Sequence, residues 1–208
     1  MKNLSLIIAF TSATLVGYAQ NNNEKEPPAP IEQSKFSIGI DGGFGHSFLQ
    51  PYSNVVFRPS WSAGLSAVYA PGQHWGIGLG ANYSVEGVKF KYTNANNQTE
   101  FTSQNELGYV RVPLKAIYFF RSYEKDFRPK VTLGPTLGIL VNEVNSVNAA
   151  SIDFGGNASL GFNYRLAKAI WLNVDAVYYQ GFVDTYSTNS DNDLNANIRL
   201  NVGLHLGF

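Results

Sequence analysis

Apolar residues alternate with small or polar ones along most of this chain. In residues 75–92, Trp75, Ile77, Leu79, Ala81, Tyr83 and Val85 share one parity. Gly76, Gly78, Gly80, Asn82, Ser84 and Glu86 share the other. A period of two belongs to a strand with one oily and one polar face. Eight such segments occur, at 36–48, 60–70, 75–92, 107–120, 131–141, 152–166, 170–180 and in the final run Ile198 to Phe208. Most match or exceed the roughly 9–11 residues that a tilted strand needs to cross a bilayer. The connections at 71–74, 121–130 and 167–169 are mostly short, the middle one (RSYEKDFRPK) being the exception. Those at 49–59, 93–106, 142–151 and 181–195 are longer and rich in Asn, Ser, Thr and Asp. Turns on one end and loops on the other predict an all-β fold, an eight-stranded antiparallel up-and-down transmembrane β-barrel. An even number of strands brings both termini to the short-turn side.

Parity also sorts the charges. Asp41, Glu86, Arg111, Lys115, Asp153, Arg165, Asp175, Arg199 and His205 all fall on the polar face. Lys89 and Lys91 depart from it, which a bulge or a position outside the membrane would explain. Arg or Lys on a lipid face at mid-depth costs roughly 2–4 kcal/mol, so the polar face is expected to line the lumen. An eight-stranded lumen is just wide enough to be filled by side chains. Glycines on that face (Gly39, Gly76, Gly134, Gly203) leave room for Tyr109, Trp171, Tyr179 and the arginines. The nine charged or titratable residues are therefore read as structural crosslinks of a plugged barrel, with a proton or ion path as the lesser alternative. Aromatics near segment ends, among them Trp61, Tyr69, Trp75, Phe120, Tyr123 and Trp171, suggest interfacial girdles. A soluble lipocalin-like barrel would share the dyad pattern but turn its apolar face inward.

Little else points to chemistry. Gly76-x-Gly78-x-Gly80 lies inside a strand pattern with no helix after it, so it is not a phosphate loop. His46, His74 and His205 lack metal-ligand spacing. No G-x-S-x-G elbow is present, and a surface Ser–His pair could use only His46. No cofactor is expected, and the chain is read as non-enzymatic. Fifteen bases balance fifteen acids, so nothing suggests nucleic acid as a partner. There are no cysteines.

The first residues read as an export signal: Lys2, a short apolar stretch, then Gly17-Tyr18-Ala19 before a cut after Ala19. The expected organisation is a signal peptide over 1–19, a polar Pro-rich periplasmic linker over 20–34 and a barrel over 35–208. The closing strand ends on Phe208, which is read as the signal for the β-barrel assembly machinery.

Residues 106–118 (ELGYVRVPLKAIY), 131–140 (VTLGPTLGIL) and 153–166 (DFGGNASLGFNYRL), with the C-terminal strand, resemble the PorT-like outer-membrane β-barrel family typical of Bacteroidota. The resemblance implies an eight-stranded barrel in the outer membrane of a Gram-negative cell. Its namesake is linked to protein secretion, and the resemblance carries over no catalytic residues. The expected partners are outer-membrane lipid, periplasmic chaperones and the assembly machinery during biogenesis, and a surface or envelope protein met by the loops. The expected role is a membrane anchor and interaction scaffold. The alternatives are an accessory role in secretion or envelope biogenesis, a narrow transport path, and a soluble ligand binder.

Overall fold

The computed structural model describes residues 35–50, 56–93, 100–145, 148–186 and 193–207. The expected signal peptide, the linker and Phe208 lie outside the described residues.

Eight strands follow in chain order: β1 (Phe36–Gln50), β2 (Pro59–Tyr69), β3 (Trp75–Thr93), β4 (Glu100–Phe119), β5 (Phe127–Val144), β6 (Ile152–Arg165), β7 (Ile170–Asp184) and β8 (Leu194–Gly207). Each pairs antiparallel with the next, and β8 returns to β1, so the sheet is a closed barrel. The closing seam runs in unbroken register from Ser37↔Gly207 to Gln50↔Leu194. Closure matters because a spanning sheet with an open edge would leave backbone N–H and C=O groups unpaired in hydrocarbon.

The faces divide as the dyad pattern requires. Leu133 and Leu160, on the apolar parity, are 67% and 69% exposed. Glu86 and Arg111, on the polar parity, are 0% and 1% exposed. The apolar side chains point outward and the charges point to the axis, which overturns the lipocalin alternative. Bulky rings ring both ends of the outer face. Phe36 lies against Tyr69 and Trp75 against Tyr118 at the short-turn end. Trp61 lies against Tyr83 and Phe154 against Phe182 at the other. Tyr123, expected in a girdle, is instead buried in the barrel mouth, and Trp171, expected both in a girdle and in the lumen, takes the lumen place. Trp171 has lumen parity, and the long middle turn folds inward and carries Tyr123 with it.

Several strands outrun their pattern. β3 and β4 stay paired up to Thr93↔Glu100, through residues read from sequence as loop. Polar residues form strand there because the hairpin has passed beyond the membrane and needs no oily face. Lys89 and Lys91 belong to this arm. The arm begins at Gly87, whose φ of 138° suits glycine alone. Gly87 O accepts a hydrogen bond from Ser47 Oγ at 2.8 Å, so the kink ties β3 to β1 above the end of β2. Register also shifts between Gly108 and Tyr109 and between Gln180 and Asp184.

Candidate functional site: the charged lumen

Inward parity brings the charges of seven strands, all but β2, onto the axis, where they form three levels. At the long-loop level Arg111 of β4 is the hub. Its Nε and Nη2 donate to Glu86 of β3 at 2.7 and 2.6 Å. Nη2 also donates to Asp153 of β6 at 2.7 Å. The guanidinium lies 4.6 Å from the ring centre of Tyr109 and 4.1 Å from that of Tyr179. Glu86 further accepts from Ser84 at 2.6 Å, Asn195 at 2.7 Å and Arg199 at 3.4 Å. Arg199 also donates to Ser84. Burying one carboxylate costs several kcal/mol, and only such dense pairing offsets it.

The middle level holds two smaller clusters. Asp41 of β1 pairs with His205 of β8 at 3.1 Å and with Ser66 of β2. Gly39 has no Cβ because one would overlap the His205 ring. Lys130 of β5 donates to Asp175 of β7 at 3.0 Å and to Asn173. Asp175 also accepts from Asn173 at 2.9 Å. Lys115 lines the adjoining space and makes no ion pair among the described residues. Two cavities of about 40 and 30 Å³ lie here, both bordered by Asp41, Ser66, Lys115 and Asp175. Each is large enough for ordered water. The buried Asn157 Oδ1, on the larger cavity, has no protein partner and suits such a water.

The short-turn level is aromatic and basic. Arg128 of β5 lies 3.9 Å from the ring centre of Phe119. Arg165 of β6 lies 4.6 Å from Trp171 and 5.1 Å from Tyr123. Both arginines clamp the middle turn. Arg128 Nε donates to Arg121 O at 3.2 Å, and Arg165 Nη2 donates to Tyr123 O. Arg128 Nη2 reaches across to Gln73 O at 2.8 Å.

Of the nine lumen residues read from the sequence, the structure gathers Glu86, Arg111, Asp153 and Arg199 in one level. Asp41, Lys115, Asp175 and His205 share the next. Arg165 stands apart at the mouth, facing Tyr123, Trp171 and, at 3.6 Å, Asp126. Lys130, Arg128 and Arg58 escaped the sequence reading. The signal was available: extending the polar parity of Thr132 backwards gives 130 and 128, and that of Ser60 gives 58. Arg58 bonds Glu106 at 3.1 Å at the long-loop mouth. Among the described residues no cluster of His, Asp and Glu is arranged to hold a metal.

Residues 18–187 match the family described as outer membrane protein beta-barrel domain. This chain belongs to that family. The barrel is thus an outer-membrane barrel, whose short turns face the periplasm and long loops the exterior. Its fold is shared by solved structures of low identity. The outer membrane protein OprG from Pseudomonas aeruginosa is 16% identical, with a TM-score of 0.54 over 86% of this chain and 98% of that one. Neisserial surface protein A is 15% identical, with a TM-score of 0.53 over 84% and 98%. The outer membrane enzyme PagL is 11% identical, with a TM-score of 0.52 over 79% and 97%. No curated protein matches the chain.

Proposed function

We propose that this outer-membrane barrel is a closed, non-enzymatic anchor that presents its long loops to surface or envelope partners. The observation that carries the reading is the filled axis. Between the Glu86–Arg111–Asp153 level and the Arg128–Arg165–Trp171 level, two cavities among the described residues measure about 30–40 Å³. Ligand pockets are roughly tenfold larger. Eight of the nine lumen residues, all but Lys115, then act as crosslinks, and interaction falls to the loops. PagL is an outer membrane enzyme, but among the described residues no serine or carboxylate side chain bonds the rim histidine here. His46 Nδ1 accepts the Arg58 amide at 3.1 Å, and its ring stacks on Phe48 and Phe57. Export by a signal cleaved after Ala19, a linker over 20–34, and delivery to the assembly machinery through Phe208 complete the proposal.

The test is deletion of 187–192 with photo-crosslinking from the remaining loops and from 187–192 in the parent. The deletion variant is expected to keep heat-modifiable gel migration and lose its crosslinked neighbour. An unchanged crosslink pattern would sink the scaffold role, and steady conductance in planar bilayers would sink the closed lumen. The PorT-like resemblance of 106–118, 131–140 and 153–166 favours a second reading, an accessory to secretion. Native-membrane pull-downs devoid of any secretion component would count against it.

A further inference from the structure

The periplasmic end is unlike the rest of the outer surface. Its turns and flanking positions carry six bases (Lys35, Arg121, Lys125, Arg128, Arg165, Lys168) and two acids (Glu124, Asp126). Arg128 and Arg165 turn inward, and Asp126 faces Arg165 at 3.6 Å. That leaves Lys35, Arg121, Lys125 and Lys168 exposed, opposed by Glu124 and by Asp126, which is itself exposed. Among the described residues the loop end carries three bases (Arg58, Lys89, Lys91) against five acids (Glu100, Glu106, Glu143, Asp184, Asp193).

Depth is the second observation. Apolar side chains stay exposed right into the turns: Phe120 is 56% exposed beside Arg121, and Leu166 is 53% exposed two residues before Lys168. Phe127, two residues after Lys125, is 41% exposed. Such side chains require the hydrocarbon boundary at their own level. The neighbouring bases therefore stand in the headgroup layer, not in open periplasm.

Rigidity is the third. The middle turn is closed by a Lys125 N–H to Ser122 O bond and pinned from inside by Arg128 and Arg165. Backbone bonds Arg165 N to Asp126 O and Gly207 N to Ala169 O fasten each turn to the adjoining strand. The turn backbones that carry the bases are fixed before any ligand arrives, so no loop has to be ordered on binding.

We propose that this rim binds the phosphodiester headgroups of anionic phospholipids in the periplasmic leaflet. The proposal rests on the outer-membrane orientation and is independent of the scaffold role.

The natural reporter is Trp75, on the lipid face at this end and 63% exposed. Trp61 is removed by Trp61→Phe, and Trp171 is shielded in the lumen. The full chain carrying Trp61→Phe is refolded into phosphatidylcholine vesicles containing a small fraction of chain-brominated phosphatidylglycerol or chain-brominated phosphatidylcholine. Brominated phosphatidylglycerol is expected to quench Trp75 at a lower mole fraction, with an apparent preference on the order of tenfold. The preference should collapse in 1 M salt, where the screening length falls to about 3 Å. It should also collapse in Arg121→Gln/Lys125→Gln/Lys168→Gln, whose insertion is checked by heat-modifiable migration. If that variant fails to insert, the salt series on the unsubstituted rim decides. Equal quenching by the two lipids, or a preference that survives salt or the triple change, would overturn the proposal. Loss of the preference on adding millimolar inorganic phosphate at constant ionic strength would also overturn it, since the rim would then be a site for free phosphate.

Discussion

Replacing Arg111 by methionine isolates the energetics of the lumen. The guanidinium makes three bonds of 2.6–2.7 Å to two buried carboxylates. After Arg111→Met, Glu86 keeps Ser84, Asn195 and Arg199. Asp153 Oδ2 keeps only Asn195 at 3.4 Å. Breaking a buried pair from one side costs about 3–5 kcal/mol, because the remaining charge is stranded. Two tyrosine contacts are lost as well, each worth roughly 0.5–2 kcal/mol, though methionine restores part of that packing. The expected loss is thus two to three and a half decades in the folding constant, at about 1.4 kcal/mol per decade. Guanidinium unfolding in vesicles, followed by tryptophan emission, measures it. The double variant Arg111→Met/Glu86→Gln should recover part of the loss, since the stranded charge is gone. An Arg111→Met protein within about 0.5 kcal/mol of the parent would refute the claim that this level is dry and paired.

Leu160→Arg places a charge on the lipid face near mid-depth and should cost roughly 2–4 kcal/mol in the same unfolding assay; no effect would argue that this face does not meet hydrocarbon. Gly87→Ala puts a Cβ against Asn105 O at a φ of 138°, and should cost about 1–3 kcal/mol while loosening the β3–β4 arm to proteolysis. Tyr123→Ala with Arg128→Ala unpins the periplasmic mouth. A cysteine placed at Ser66 should then react with a small thiol reagent, where it resists in the parent; equal reactivity in both would show that the mouth is not a seal.

Strand number, order and facing were legible because a two-residue period is strict: Leu160 and Ser159 cannot exchange faces without breaking every neighbour. The charges Glu86 and Arg111 could be assigned inward on energetic grounds alone. Their pairing could not, because register decides which strand levels coincide, and β3 to β8 contacts such as Glu86 with Asn195 span 109 positions. The strand ends were misread where the membrane stops imposing the pattern, as in residues 100–106 of β4. Lys130 and Arg128 were hidden by the polar run around them, which resembles a turn. Tyr123 was misassigned because an aromatic near a strand end fits a girdle or an inward plug equally well, and only the clamp by Arg128 and Arg165 separates them.

The Asp41–His205 pair bridges β1 and β8, 164 positions apart, so it exists only once the last strand has met the first. Until then Asp41 and His205 lie on the two outermost strands of an open sheet, each without the other. Biogenesis therefore has a committing act: solvent leaves the axis when the seam shuts. The β3–β4 hairpin already carries both partners of the Glu86–Arg111 pair, whereas the bonds of Asn195 and Arg199 to Glu86 and of His205 to Asp41 come only with the final strand.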